Sequence, residues 1–148
     1  MSIGDTQVIF LDELNQQAPE PVVLHVISDS TGATATGVVQ GATVQFPSGV
    51  VQISCLSHVE NMDQIRAYLD AYVQNGSKTA IFHTLLNNQL RRDLRDEAEQ
   101  RGIASVDVLG PTLSIVSKLM GTDPLNIPGL GITRENRLIR NIDARLIR

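Results

Sequence analysis

The chain has 148 residues, which fits one domain able to bury its own core, with 42% hydrophobic residues. Its single Cys55 excludes an internal disulfide. The separated His25, His58 and His83 have no metal-ligand spacing, so no metal site is expected, and 3% aromatic residues with no Trp argues against single-stranded nucleic acid as a partner. The net charge of −4 is uneven: residues 1–133 carry 14 acidic against 7 basic side chains, whereas the last fifteen carry five Arg against Glu135 and Asp143.

In chain order, residues 1–21 hold a short apolar patch and then Pro19-Glu20-Pro21, and read as an arm and linker. Residues 22–27 are apolar apart from His25, the pattern of a strand covered on both faces. Beyond Ser28-Asp29-Ser30-Thr31-Gly32, the residues Ala35, Val38, Val39, Ala42 and Phe46 fall at helical spacing, with Pro47-Ser48-Gly49 as the stop. Residues 50–53 predict a second strand. Ser57-His58-Val59-Glu60 has the form of a capping box for a helix with Met62, Ile65, Leu69, Tyr72 and Val73 on one face, closed at Asn75-Gly76. Residues 79–83 predict strand three, Leu90, Leu94 and Ala98 a helix closed by Arg101-Gly102, and 104–108 strand four. Pro111 opens a short helix through Leu113, Val116 and Leu119, closed by Gly121, and 122–131 reads as loop. Residues 132–148 predict an Arg-rich amphipathic helix with Leu138, Ile139, Ile142 and Leu146 inward.

Alternating strands and helices predict an α/β fold, a three-layer Rossmann-like domain over 22–131 with a parallel sheet of about four strands. Ligands of such sheets bind beyond the carboxyl ends of the strands. Parallel strands bring Ser28, Asp29, Ser30, Thr31, Gly32, His58, His83, Thr84, Asp107 and Gly110 to one rim, as candidates for holding a nucleotide or phosphate on hydroxyls and helix amides. Each has a plain alternative. The first loop can simply cap a helix, His58 and His83 can be hydrogen-bonded structural residues, Asp29 can cap or contact a sugar hydroxyl or metal, and Cys55 reads as a small buried residue. Residues 32–39, GATATGVV, place Val where a Walker A loop needs Lys, and neither G-x-G-x-x-G nor G-x-S-x-G occurs at this site. An independent hydrolase using Asp29 and His58 is therefore disfavoured.

HVISDSTGATA at 25–35, FHTLLNNQLRRDLRDEAEQRGIASVDVLGP at 82–111 and Pro128-Gly129-Leu130 resemble the amino-terminal half of the regulatory proteins of pyruvate, phosphate dikinase and phosphoenolpyruvate synthase. The resemblance covers about residues 22–130. It implies a bifunctional ADP-dependent kinase and phosphate-dependent pyrophosphorylase, acting on a threonine of one of those two enzymes in the cytoplasm, with ADP, phosphate or Mg²⁺ as cofactors of the full-length family. It also implies that members run to roughly twice this length and carry a Gly-rich loop with a phosphate-contacting Lys in the half not matched here. The family's basic segment after strand two is replaced by Ser54-Cys55-Leu56-Ser57-His58. No residue is accordingly assigned a catalytic role. The expectation is a regulatory domain that binds nucleotide, phosphate or the target enzyme at the strand rim. The alternative is a non-catalytic module that dimerises or docks through its C-terminal helix, with no nucleic acid or membrane partner.

Overall fold

The computed structural model describes residues 21–73, 78–130, 142, 143 and 145. Four β-branched segments form the strands β1 (Val22–Ser28), β2 (Val51–Leu56), β3 (Thr79–Thr84) and β4 (Ala104–Asp107), separated by the helices α1 (Ala33–Thr43), α2 (Met62–Tyr72) and α3 (Asn88–Gln100), with α4 (Gly110–Met120) following β4. All strand pairs are parallel, in the order β2-β1-β3-β4. This is the expected Rossmann-like α/β sheet.

Alternation along β1 assigns the faces. Ile27 packs with Val59, Met62, Ile65, Leu69, Ile81, Leu85 and Leu94, the core under α2 and α3. Val26 packs with Ala35 and Val39 of α1, joined by Leu24, Ile53 and Phe82. Helix α1 therefore covers one face, and α2 and α3 the other.

Several elements differ from expectation. Strand β2 extends to Leu56, in register with β1 from Val22↔Val51 to Ile27↔Leu56, so Ser54 and Cys55 belong to the strand. As β2 is an edge strand, Cys55 is exposed and not buried. Helix α1 stops at Thr43, and Phe46 is 72% exposed and Val38 lies outward. The capping box lies four residues later than Ser57 and Glu60: Asn61 Oδ1 accepts from the Gln64 amide at 3.0 Å, while Gln64 Oε1 accepts from the Asn61 amide at 3.4 Å and the Glu60 amide at 2.7 Å. The delay has a tertiary cause. The amides of His58 and Val59 donate to the carbonyls of Ser30 and Ser28 at 2.8 and 3.0 Å, which ties this segment to the first loop before the helix can begin.

Tyr68 takes the buried place expected of Tyr72, which is 65% exposed. Its hydroxyl lies 2.6 Å from His25 Nδ1 and donates to Ser54 Oγ at 2.5 Å. Nδ1 of the buried His25 in the middle of β1 thus finds its partner, while Nε2 is buried without one. Burial holds the His25 pKa below its ordinary value. Helix α3 is capped by Asn87, whose Oδ1 accepts from the Leu90 amide at 2.9 Å. Glu97 bridges α3 to α2, accepting from Arg66 at 2.7 Å and from Arg101 at 3.2 Å, and Arg101 also donates to Asp70 at 2.8 Å.

Residues 1–20 of the predicted arm, the Asn75-Gly76 stop and most of the predicted C-terminal helix lie outside the described residues. Of the inward positions expected in that helix only Ile142 is described, and it is exposed and non-helical. Among the described residues no helix is long and apolar enough to cross a membrane.

Candidate functional site

The strand order creates a crevice between β1 and β3. From β1 the chain turns to α1 on one face, and from β3 it turns to α3 on the other, so the two loops diverge beyond Ser28 and its register partner Thr84. This reversal is the point in an open α/β sheet where ligands bind. A cavity of about 530 Å³ occupies it. Ser28, Ser30, Thr31, Gly32, Thr34 and Thr84 supply its polar side, and Leu86, Leu109, Leu113, Leu125, Ile127 and Leu130 its apolar side.

Local hydrogen bonds shape the polar side. Ser28 Oγ accepts from the Ser30 amide at 3.0 Å, and Thr31 Oγ1 accepts from the Ala33 amide at 3.3 Å. Gly32 then enters α1 as its N-cap in the left-handed conformation, φ 85°, and has no side chain to cap the helix, so that Thr31 Oγ1 is left to take the first helical amide. A Cβ at Gly32 would lie 2.6 Å from Cys55 Sγ, so both backbone and space require glycine. Although Cys55 is exposed overall, its sulfur is tucked over this loop and donates to the Thr31 carbonyl at 3.8 Å. That local desolvation pushes the thiol pKa up, away from the reactive thiolate.

Asp29 spans the crevice: its Oδ2 accepts from the Leu86 amide at 2.8 Å and so latches the β3 loop to the β1 loop. It lines the cavity as a carboxylate, and no Lys or Arg lines it among the described residues. The chemistry of this donor set fits Mg²⁺ only in part. Were such an ion bound, Asp29, Ser30 and Thr31 would be the protein's donors, and the phosphates of a ligand would have to complete its shell. Among the described residues no group of three or more His, Cys, Asp or Glu could hold a metal by itself.

Ser28, Asp29, Ser30, Thr31, Gly32 and Thr84 thus share one cavity, and the other four candidates stand apart from it. His58 is exposed with left-handed backbone, φ 55°, and it is its amide that engages the site loop. His83, Asp107 and Gly110 form a second cluster on the α3 side. Asp107 Oδ1 accepts from the amides of Leu109 at 3.2 Å and Gly110 at 2.7 Å, and its Oδ2 lies 3.4 Å from Arg91 Nε. His83, opposite Asp107 in the sheet, is buried with Nδ1 unpartnered. Burial lowers its pKa, the Asp107 carboxylate opposes that shift and the Arg91 guanidinium adds to it. Sequence reasoning missed the apolar wall from 124–130. Its one visible signal is Gly129, which takes φ 79° and approaches Ser30, where a Cβ would stand 3.4 Å from Oγ.

Comparison with known proteins follows this geometry. A family model described as kinase/pyrophosphorylase matches residues 24–145. A Chloroflexus aurantiacus protein that carries the name pyruvate, phosphate dikinase regulatory protein is 32% identical over 132 residues, 88% of this chain and 45% of the relative. Relatives of the same name from Shouchella clausii and Geotalea daltonii are 30% and 32% identical over 84% and 82% of this chain. The chain spans about half the length of the curated relatives it matches, 44 to 45% in these three.

Proposed function

Because the chain belongs to the kinase/pyrophosphorylase family, we propose that its β1–β3 crevice binds the phosphate-bearing ligand of a dikinase regulator, a nucleotide such as ADP or free phosphate. The observation that carries this reading is the start of α1, where a left-handed glycine N-cap has no side chain to offer and only the Ala33 amide is taken, by Thr31, which leaves the rest of the first turn to an anion at the mouth of the cavity. The Leu86, Leu113 and Ile127 wall offers an apolar surface for a base or ribose, while Ser30, Thr31 and Thr84 offer hydroxyls to phosphate oxygens. The partner enzyme under this reading is pyruvate, phosphate dikinase or phosphoenolpyruvate synthase. The α/β unit at 22–131 is the binding part, flanked by the 1–21 arm and the Arg-rich 132–148.

Thermal unfolding with ADP, AMP, phosphate and pyrophosphate tests the proposal. A ligand at a hundred times its Kd stabilises by about 2.7 kcal/mol, which for a chain of this size raises Tm by about 5–10 °C. Ser30→Ala and Thr31→Ala should weaken the response. No shift with any of the four at millimolar concentration overturns it.

A further inference from the structure

Charge is spread unequally over the helices. Residues 30–59, from the first loop through α1 to the end of β2, are the longest run of the chain without Asp, Glu, Lys or Arg. The solvent sides of α2 and α3 carry Asp63, Arg66, Asp70, Arg92, Arg95 and Asp96, as water-facing helices do. Helix α1 instead exposes Gly37, Val38 and Gly41, and a Cβ at either glycine would meet nothing within 4 Å, so this side is open. Val44 keeps helical backbone just beyond α1 and falls at i+7 from Gly37 and i+3 from Gly41, on the same side. The connection to β2 prolongs the surface, because Val44, Phe46 and Val50 are all more than half exposed. Loss of charge together with an exposed aromatic ring is the composition of an interface centre, not of a solvated face.

The entry of the chain into the sheet indicates what covers this surface. The Val22 amide donates to the Val50 carbonyl at 2.9 Å, so the residues before β1 arrive beside Val50, at the base of α1. They hold one apolar run, Val8-Ile9-Phe10-Leu11. Leu11 stands eleven residues before Val22, and a stretch of that length reaches about 35 Å at most. Helix α1 has 11 residues, a length of about 16 Å, so the run can reach any point along it. Charge favours the same seat. The arm carries Asp5, Asp12, Glu13 and Glu20 with no Lys or Arg, and a charge-free face does not repel it. Lys78, whose carbonyl accepts from the Val23 amide at 2.9 Å, stands at the end of the sheet where the arm joins.

We propose that residues 8–11 of the chain's own amino-terminal arm dock on the outer side of α1 and the 44–50 connection, with their apolar side chains against Val38, Val44 and Phe46. The contact is intramolecular, and the short tether gives the arm an effective concentration that a separate partner does not have. It uses none of the residues that line the crevice and stands independently of the reading of that site.

NMR of the full 148-residue chain tests the docking. Nuclear Overhauser contacts are expected from Ile9 and Phe10 to Val38, Val44 and Phe46, and in a mixture of labelled and unlabelled chains they should arise within one copy. Phe10→Asp should shift the Val38, Gly41 and Val44 amides and leave those of α3 in place. It should also speed hydrogen exchange of the Leu11 amide about tenfold, the loss expected from one undocked Phe side chain. Phe46→Asp, at an exposed position that leaves the fold intact, should release the arm to the same extent. The double variant should go no further than either single one, as for two residues of one contact. Absence of contacts between 8–11 and 38–50, or 38–46 amides unmoved by Phe10→Asp, overturns the docking. Contacts between copies, through an exchanged arm or through α1 against α1, give the surface to a second copy and overturn it likewise.

Discussion

Replacing Gly32 by alanine perturbs the site loop at the position where backbone and packing requirements coincide. At φ 85° an L side chain costs about 1–2 kcal/mol. A Cβ placed 2.6 Å from Cys55 Sγ and 3.4 Å from Val26 Cγ1 adds an overpacking cost of about 1–3 kcal/mol. The smaller entropy of an unfolded alanine returns about 0.4–1 kcal/mol, leaving a net loss of about 2–4 kcal/mol. For a domain of this size that lowers Tm by about 5–15 °C. The steric part is separable, since Cys55→Ala removes the sulfur without touching the backbone. Cys55→Ala alone should cost under about 1 kcal/mol, because the residue is exposed. In the double variant about 1–3 kcal/mol of the Gly32→Ala loss should return, which is the coupling expected of residues in contact. Urea unfolding of the four proteins, followed by circular dichroism, measures the cycle. A Gly32→Ala loss under about 0.5 kcal/mol, or strict additivity with Cys55→Ala, would refute the close approach of sulfur to glycine.

Asp29→Asn keeps an acceptor for the Leu86 amide and removes the one carboxylate that lines the crevice among the described residues, so affinity for ADP or phosphate should rise about threefold to tenfold in calorimetry at unchanged fold. Weaker binding would instead assign the carboxylate to a cation or a ligand hydroxyl. Tyr68→Phe strands His25 Nδ1 and Ser54 Oγ and should cost about 1–3 kcal/mol in urea unfolding, and a neutral result would mean that the buried chain contributes nothing. Burial depresses the pKa of both His25 and His83 below 6.5, so the unfolded chain takes up protons first as pH falls. Stability is then complete above pH 6.5 and declines below it, by up to about 1.4 kcal/mol per pH unit for each histidine. Urea midpoints should drop from pH 7 to pH 5, with a shallower drop in His83→Gln; a flat profile would contradict the buried neutral histidines.

Much of this architecture was legible because strand and helix periods differ and the four strands are bounded by polar turns. What escaped was set by contacts between distant segments. Ser57 and Glu60 satisfy a local capping pattern as well as Asn61 and Gln64 do, and only the carbonyls of Ser28 and Ser30, which take the His58 and Val59 amides, decide between them. Tyr68 and Tyr72 stand one turn apart on α2, and the choice of which one is buried follows from His25, a residue on another element. Position at strand ends was enough to place Ser28 to Gly32 and Thr84 on one rim, and they line one cavity. His83 and Asp107 occupy equally good positions, yet face α3, because strand residues alternate sides and one step of register separates His83 from Thr84. The 124–130 wall has no periodicity and no charged group to mark it.

Under the proposed function, the crevice supplies only part of what phosphoryl chemistry requires. Such transfer is catalysed by positioning together with neutralisation of phosphate charge by Lys, Arg or a metal ion. The β1–β3 crevice has the positioning elements, hydroxyls and a helix start, but among the described residues its one charged lining group, Asp29, is negative. Under that reading, phosphate oxygens in the crevice would therefore meet dipoles rather than full charges, which is enough to orient an anion and insufficient to stabilise the charge that develops on a transferring phosphoryl group. Under the proposed function, any cation brought to the crevice should consequently raise affinity for the anion, as removal of the Asp29 charge does, while loss of the Gly32 turn should lower it.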